Sequence, residues 1–126
     1  MSLQKLIDKV QKVFNRFICL RDQNEGCISC GSFKDPQAGH YFPVKTHTAL
    51  RFNEVNTNRQ CSYCNCWQHG NQVMYRIGLI KKVGEDKVKL LELIGTIRKP
   101  HKWSRGELLL IYEFYKKEIE KLQKAA

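Results

Sequence analysis

The chain has 126 residues, enough for one compact domain and not for two comfortable ones. Its 22 lysines and arginines stand against 12 aspartates and glutamates, a net charge of +10 spread over the whole length, which favours a polyanionic partner over a neutral one and otherwise serves plain solubility. No run approaches the roughly 18 to 20 apolar residues of a membrane span, and Met1-Ser2-Leu3-Gln4-Lys5 leads into an amphipathic pattern rather than an apolar signal core, so the expectation is a soluble cytoplasmic protein with no membrane partner.

Leu3, Leu6, Val10, Val13, Phe14, Phe17, Ile18 and Cys19 fall at helical spacing, with Ser2 as the N-cap, so residues 3 to about 22 are expected to form an amphipathic helix with a basic far side. From Asp22 to Cys61 that period is lost. Gly26, Gly31, Asp35-Pro36 and Gly39 punctuate short apolar pieces, which predicts loops with two short strands, around His40-Tyr41-Phe42 and Leu50-Arg51-Phe52. A helix is expected to open near Ser62 and run through Asn65, His69, Val73, Tyr75 and Ile77 to Ile80, with Gly70 as a weak point, and to end by Gly84. Asp86 reads as the N-cap of another helix, carrying Val88, Leu90, Leu91, Leu93, Ile94 and Ile97 and stopped by Pro100. Ser104 and Glu107 form a Ser-x-x-Glu capping box that opens a last helix, from Leu108 and Leu109 to Ile119 and Leu122. The class is α+β, a mostly helical single domain around a small β-containing knuckle, in stretches 1–22, 23–84 and 85–126.

Six cysteines could make three disulfides, but four fall in two pairs, Cys27-Ile28-Ser29-Cys30 and Cys61-Ser62-Tyr63-Cys64. Two residues between cysteines let one tight turn present both sulfurs to one ion, and four thiolates close a tetrahedral Zn²⁺ shell. A closed shell leaves no position for water, so such a zinc is structural. Cys19 sits on the apolar stripe of the first helix as a small hydrophobe, and Cys66 follows the second pair with no evident role. A redox pair or an iron–sulfur cluster are the competing readings of the four cysteines.

Between the pairs lie Ala38-Gly39-His40-Tyr41-Phe42-Pro43 and Leu50-Arg51-Phe52-Asn53-Glu54-Val55-Asn56, and after them Asn65, His69 and Gly70-Asn71. This order, from Cys27 to about Gly84, resembles the phage Rap (also called NinG) recombination endonucleases and, more distantly, HNH nucleases and the phage endonuclease VII resolvases. The resemblance implies a ββα-metal, HNH-like core. It implies His40 as general base, Asn56 as the residue that orients it, and Asn65 with His69 as ligands of a catalytic Mg²⁺ or Mn²⁺. The substrates it implies are branched DNA, D-loops and Holliday junctions. Many relatives carry an acid directly before the histidine where this chain has Gly39, so one ligand is missing, with Asp35, His47, Glu54 or a backbone carbonyl as candidates.

The residues support that chemistry independently. A neutral imidazole titrating near pH 7 can take a proton from an attacking water. Asn65 and His69, four apart, would share one helical face, with an oxygen and a nitrogen for one divalent ion. Plainer roles are also available: His40 in knuckle packing, Asn56 in a turn, Asn65 as a helix cap, His69 and His101 as exposed histidines, and Trp67 in the core. The expected function is a DNA endonuclease, with a non-catalytic zinc module that binds nucleic acid as the alternative. A resolvase must cut two strands in concert, so a homodimer is a further expectation.

Overall fold

In the computed structural model, which describes residues 1–125, Ser2 is extended and its hydroxyl accepts the N–H of Lys5 at 3.2 Å. That cap opens α1 (Leu3–Arg21), which buries Leu6, Val10, Phe14, Phe17 and Ile18 along one stripe. The capping box forms as its pattern predicts: the Ser104 N–H donates to Glu107 Oε1 at 2.9 Å and the Glu107 N–H to Ser104 Oγ at 3.2 Å, at the mouth of the long C-terminal helix (Arg105–Ala125). The two helices run side by side in the same direction. Leu6 and Val10 meet Leu108 near their starts, and Phe14, Phe17 and Ile18 meet Tyr115 and Ile119 further along.

Between them lies a two-stranded antiparallel sheet. β1 (Pro36–His40) pairs with β2 (Thr57–Cys61) from Pro36 opposite Cys61 to His40 opposite Thr57. Neither strand is where apolar runs place it. Leu50-Arg51-Phe52 is a single 3-10 turn (Thr48–Leu50) and the bend after it, and Tyr41-Phe42 has already left the sheet. β2 is instead the polar run Thr-Asn-Arg-Gln-Cys, buried at all five positions. It tolerates burial because its side chains are bonded: the Asn58 amide donates to the Val55 carbonyl and the Tyr75 hydroxyl, and the Arg59 guanidinium to the carbonyls of Gln23 and Phe33. The edge of this network is Asp22, 2 % exposed, which accepts from Arg21, Lys82 and the Arg59 N–H. Burial alone would raise its carboxyl, but those donors hold it well below the usual carboxylate range.

The helix expected from Ser62 to Ile80 is broken. A π-helical turn (Tyr63–Trp67) follows the second cysteine pair, and His69, Gly70 and Asn71 all take left-handed backbone, with φ of 49°, 85° and 44°. Only then does α2 (Gln72–Val83) begin. Gly84, at φ 94°, turns the chain directly into α3 (Glu85–Ile97), so the cap is Gly84 and not Asp86, which sits in the first turn. The C-terminal helix is therefore α4. Tyr75 and Leu79 of α2 close on Val88 and Leu91 of α3 over Leu50, making a second small core beside the α1–α4 pair. Trp67, expected inside, is 77 % exposed. Among the described residues no helix is long and apolar enough to cross a membrane.

Candidate metal centre and cleft

The two cysteine pairs come together. The sulfurs of Cys27, Cys30, Cys61 and Cys64 all lie within 4.8 Å of one another, with Cys30 and Cys61 at 3.6 Å. Zinc–thiolate bonds of about 2.3 Å in a tetrahedron set sulfurs about 3.8 Å apart, so the spacing suits one Zn²⁺. The first turn is held by the Gly31 N–H donating to Cys27 O and the Cys27 N–H donating to Ser32 O, both at 2.8 Å. N–H groups of Ser29, Cys30 and Cys64, and the Asn71 amide, point at the sulfurs at 3.4 to 3.5 Å. Burial works against thiolate at Cys27, yet these donors draw it down to about 7; at Cys64 burial prevails and pushes the thiol up to about 12. A divalent cation is the missing countercharge for four such sulfurs. Cys19, half-buried, and Cys66, exposed, stand outside the cluster.

His40 ends β1. Its Nε2 lies 3.1 Å from the carbonyl oxygen of Arg51, and a carbonyl can only accept, so the proton is on Nε2 and Nδ1 keeps its lone pair. Burial holds the ring below its ordinary pKa, so it is neutral near pH 7. The partner expected from the sequence, Asn56, is fully buried and does something else. Its Oδ1 accepts the Phe42 N–H at 2.8 Å and its Nδ2 donates to the carbonyls of Phe42 and Leu50 at 3.1 and 3.3 Å, closing the loop that carries Arg51 back towards β1. Asn56 thus acts on His40 only through the backbone. A main-chain acceptor such as Arg51 O has no residue-type signature and is invisible in a sequence.

A cleft of about 270 Å³ opens beside His40, and Asn65, His69, Gly70 and Gln72 form its other wall. Asn65 and His69 do not share a helical face, since the helix stops at Trp67 and His69 is left-handed, but the fold brings both to the same cleft as His40. Asn65 Nδ2 donates to Gln37 Oε1 at 2.8 Å, which leaves its Oδ1 as an acceptor. No carboxylate lines this space. Of the candidates for a further ligand, Glu54 accepts from the Tyr115 hydroxyl at 2.9 Å, His47 is buried and bonded to Thr46 and the Gly95 carbonyl, and Asp35 sits before β1 with its carbonyl accepting the Ser62 N–H. The donors here are neutral oxygen and nitrogen, which can hold a divalent ion only with help from substrate phosphate oxygens. His101 pairs with Glu107 at the surface of α4.

The chain matches the family model described as Bacteriophage Lambda NinG protein over residues 1–125. It is 36 % identical over 119 residues to Protein ninG of Escherichia phage lambda, covering 93 % of this chain and 57 % of that protein. Over the same length it is 35 % identical to Protein ninG of Salmonella phage P22, with the same coverage of both chains. Against Protein ninG of Enterobacteria phage H19B it is 37 % identical over 103 residues, 80 % of this chain and 50 % of that one. No solved structure matches. The chain belongs to the NinG family and spans little more than half the length of these relatives.

Proposed function

We propose that this member of the NinG family is a metal-dependent endonuclease that hydrolyses DNA phosphodiesters, with branched recombination intermediates such as D-loops and Holliday junctions as its substrates. The observation that carries the reading is His40: a buried, neutral imidazole whose tautomer is fixed by Arg51 O, lining one cleft with Asn65 and His69. Nδ1 takes a proton from the water that attacks phosphorus in line, a contribution of about 10²- to 10⁴-fold for a positioned base. Asn65 Oδ1 and the His69 ring would hold a Mg²⁺ or Mn²⁺ against the scissile phosphate, with Mn²⁺ the better match to a mixed oxygen and nitrogen set. That ion supplies charge stabilisation for the phosphorane-like transition state and the leaving oxygen. In this reading β1, β2 and the segment after the second cysteine pair make up the ββα-metal unit, and the zinc is its scaffold. The net charge of +10 draws the duplex in, and the exposed rings of Tyr63 and Trp67 on the π-turn are placed to stack on unpaired bases at a branch.

The test is incubation with labelled four-way junctions and linear duplex in Mg²⁺, Mn²⁺ or EDTA, beside His40→Ala. Junction cleavage that needs the ion and drops about 100-fold or more in the variant is the expected result. Junctions bound but uncut in either metal would leave a zinc-stapled nucleic-acid-binding module instead, a reading favoured by the absence of a carboxylate in the cleft. Paired nicking by a homodimer is part of the proposal, and sedimentation of a cutting-competent monomer would remove it.

A further inference from the structure

Gln60 is fully buried in β2, and its side-chain oxygen has no hydrogen-bond partner. The amide cannot be turned around to cure this. Its Nε2 donates to the Gly70 carbonyl at 2.6 Å and to Ser29 Oγ at 2.9 Å, and an oxygen placed against Gly70 O would face a second acceptor. Oε1 is therefore fixed on the other side, against Gly39. A Cβ built on Gly39 would lie 2.1 Å from it and 2.9 Å from Gln60 Cβ, so Gln60 occupies the space a side chain at 39 would use. An orphaned carbonyl in a dry site costs about 1 to 3 kcal/mol, and a native fold keeps one when something else satisfies it.

Its neighbours say what that is. Gly39 stands between Ala38 and His40, which line one wall of the cleft, and Gly70 lines the other, beside His69. Register puts Gln37, Gly39 and Gln60 on one face of the sheet, and Asn65 is bonded to that face through Gln37. The Gln60 amide spans the floor between the two walls, with its free oxygen turned to a cleft that otherwise offers one amide oxygen, imidazoles and no acid. We propose that Gln60 Oε1 is a ligand of the divalent ion in this cleft, supplied from β2 because Gly39 cannot supply one from β1. This rests on the endonuclease reading only in assuming that an ion occupies the cleft. An amide carbonyl is a fit ligand for Mg²⁺ or Mn²⁺ and a poor one for the zinc of the thiolate cluster, so the two sites sort their metals by softness.

The test is Mn²⁺ binding to the zinc-loaded full chain, followed by loss of the free-ion electron paramagnetic resonance signal, with zinc content measured in every sample. Gln60→Ala should weaken Mn²⁺ binding at least tenfold with zinc unchanged. Gly39→Asp/Gln60→Ala, which fills the vacated space with a carboxylate from the facing strand, should bind at least as tightly as the parent. Binding by Gln60→Ala within twofold of the parent overturns the inference. If that variant does not fold, the exchange variant decides: folded, zinc-replete and weaker than the parent, it overturns it too. Asn65→Ala/His69→Ala separates the two claims. If that pair abolishes binding and Gln60→Ala does not, Gln60 alone is rejected. If neither changes it, the cleft holds no such ion, and the metal part of the proposed function falls while junction cleavage remains its own test.

Discussion

Replacing Asn56 separates a residue that holds a loop from one that takes part in catalysis. The Asn56 side chain makes three bonds to main chain, one to the Phe42 N–H and two to the carbonyls of Phe42 and Leu50, and it is 0 % exposed. Asn56→Ala leaves those three groups without partners, only some of them fully shut away from water. At about 1 to 3 kcal/mol for each fully orphaned group, discounted for partial solvation, the loss comes to roughly 2 to 4 kcal/mol. For a chain of 126 residues the unfolding entropy converts this into a fall in Tm of roughly 8 to 15 °C. Asn56→Asp should be worse than alanine, because it keeps the acceptor for Phe42 N–H but sets a second oxygen, in a buried place, against two carbonyls. Thermal unfolding of zinc-loaded protein, followed by circular dichroism, reads both. If Asn56→Ala melts within 2 °C of the parent, a shift below about 1 kcal/mol, while losing cleavage, the staple argument is wrong and the residue acts at the base.

Cleavage should be flat from neutral pH upward and decline only on acidification below the ordinary histidine range, since burial depresses His40 and the neutral ring is the active form. A kcat/KM profile with its acid limb above about pH 7 contradicts this. The same shift makes His40 a stabilising group above its unfolded pKa, and that stability is lost as pH falls through the unfolded and then the folded value. Tyr75→Phe removes the hydroxyl that donates to Gly39 O at 2.7 Å and accepts from Asn58, deep in the core, and should cost about 1 to 3 kcal/mol in denaturant unfolding; no change would mean these bonds are not made in solution. The parent should bind one zinc per chain by atomic absorption, and Cys61→Ser should bind at least tenfold more weakly; full occupancy in the variant refutes a four-thiolate shell.

What the sequence made legible is what neighbours in the chain decide. α1 and α4 follow from their apolar stripes and from caps at Ser2 and Ser104, and the cysteine knuckles from their two-residue spacing. What escaped was decided across space. β2 is buried yet polar, so no alternation of apolar residues marks it; its burial is tolerated only because Asp22, Tyr75 and Arg59 arrive from elsewhere to bond it. The helix after Cys64 looked continuous because Asn65, His69 and Val73 keep helical spacing, but the turn that presents Cys61 and Cys64 runs on as a π-helical turn, and the chain leaves it by three left-handed residues. His40, Asn65 and His69 were legible as residue types, and their meeting in one cleft was legible only through the family resemblance. Gln60 was missed because an orphaned oxygen is a property of packing.

The position of Gln60 explains why a structural zinc should matter to a cleft that does not contain it. A two-stranded sheet is marginal by itself, and this one is flanked by small separate cores rather than one large one. Ser29 lies inside the first cysteine turn, Cys61 directly follows Gln60, and Gly70 follows the second turn, with its N–H donating to Cys64 O at 2.9 Å. The Gln60 amide bonds to Ser29 and Gly70 together, and Asn71 bonds to both the Cys64 sulfur and, through its carbonyl, the Ser29 hydroxyl. Both cysteine turns are thus tied to the wall that carries His69, while β2 is tied by register to the wall that carries His40. Closing four sulfurs on one ion fixes the separation of those walls, and helix packing between α1 and α4 cannot substitute for it, because it reaches the cleft only through β1 and β2.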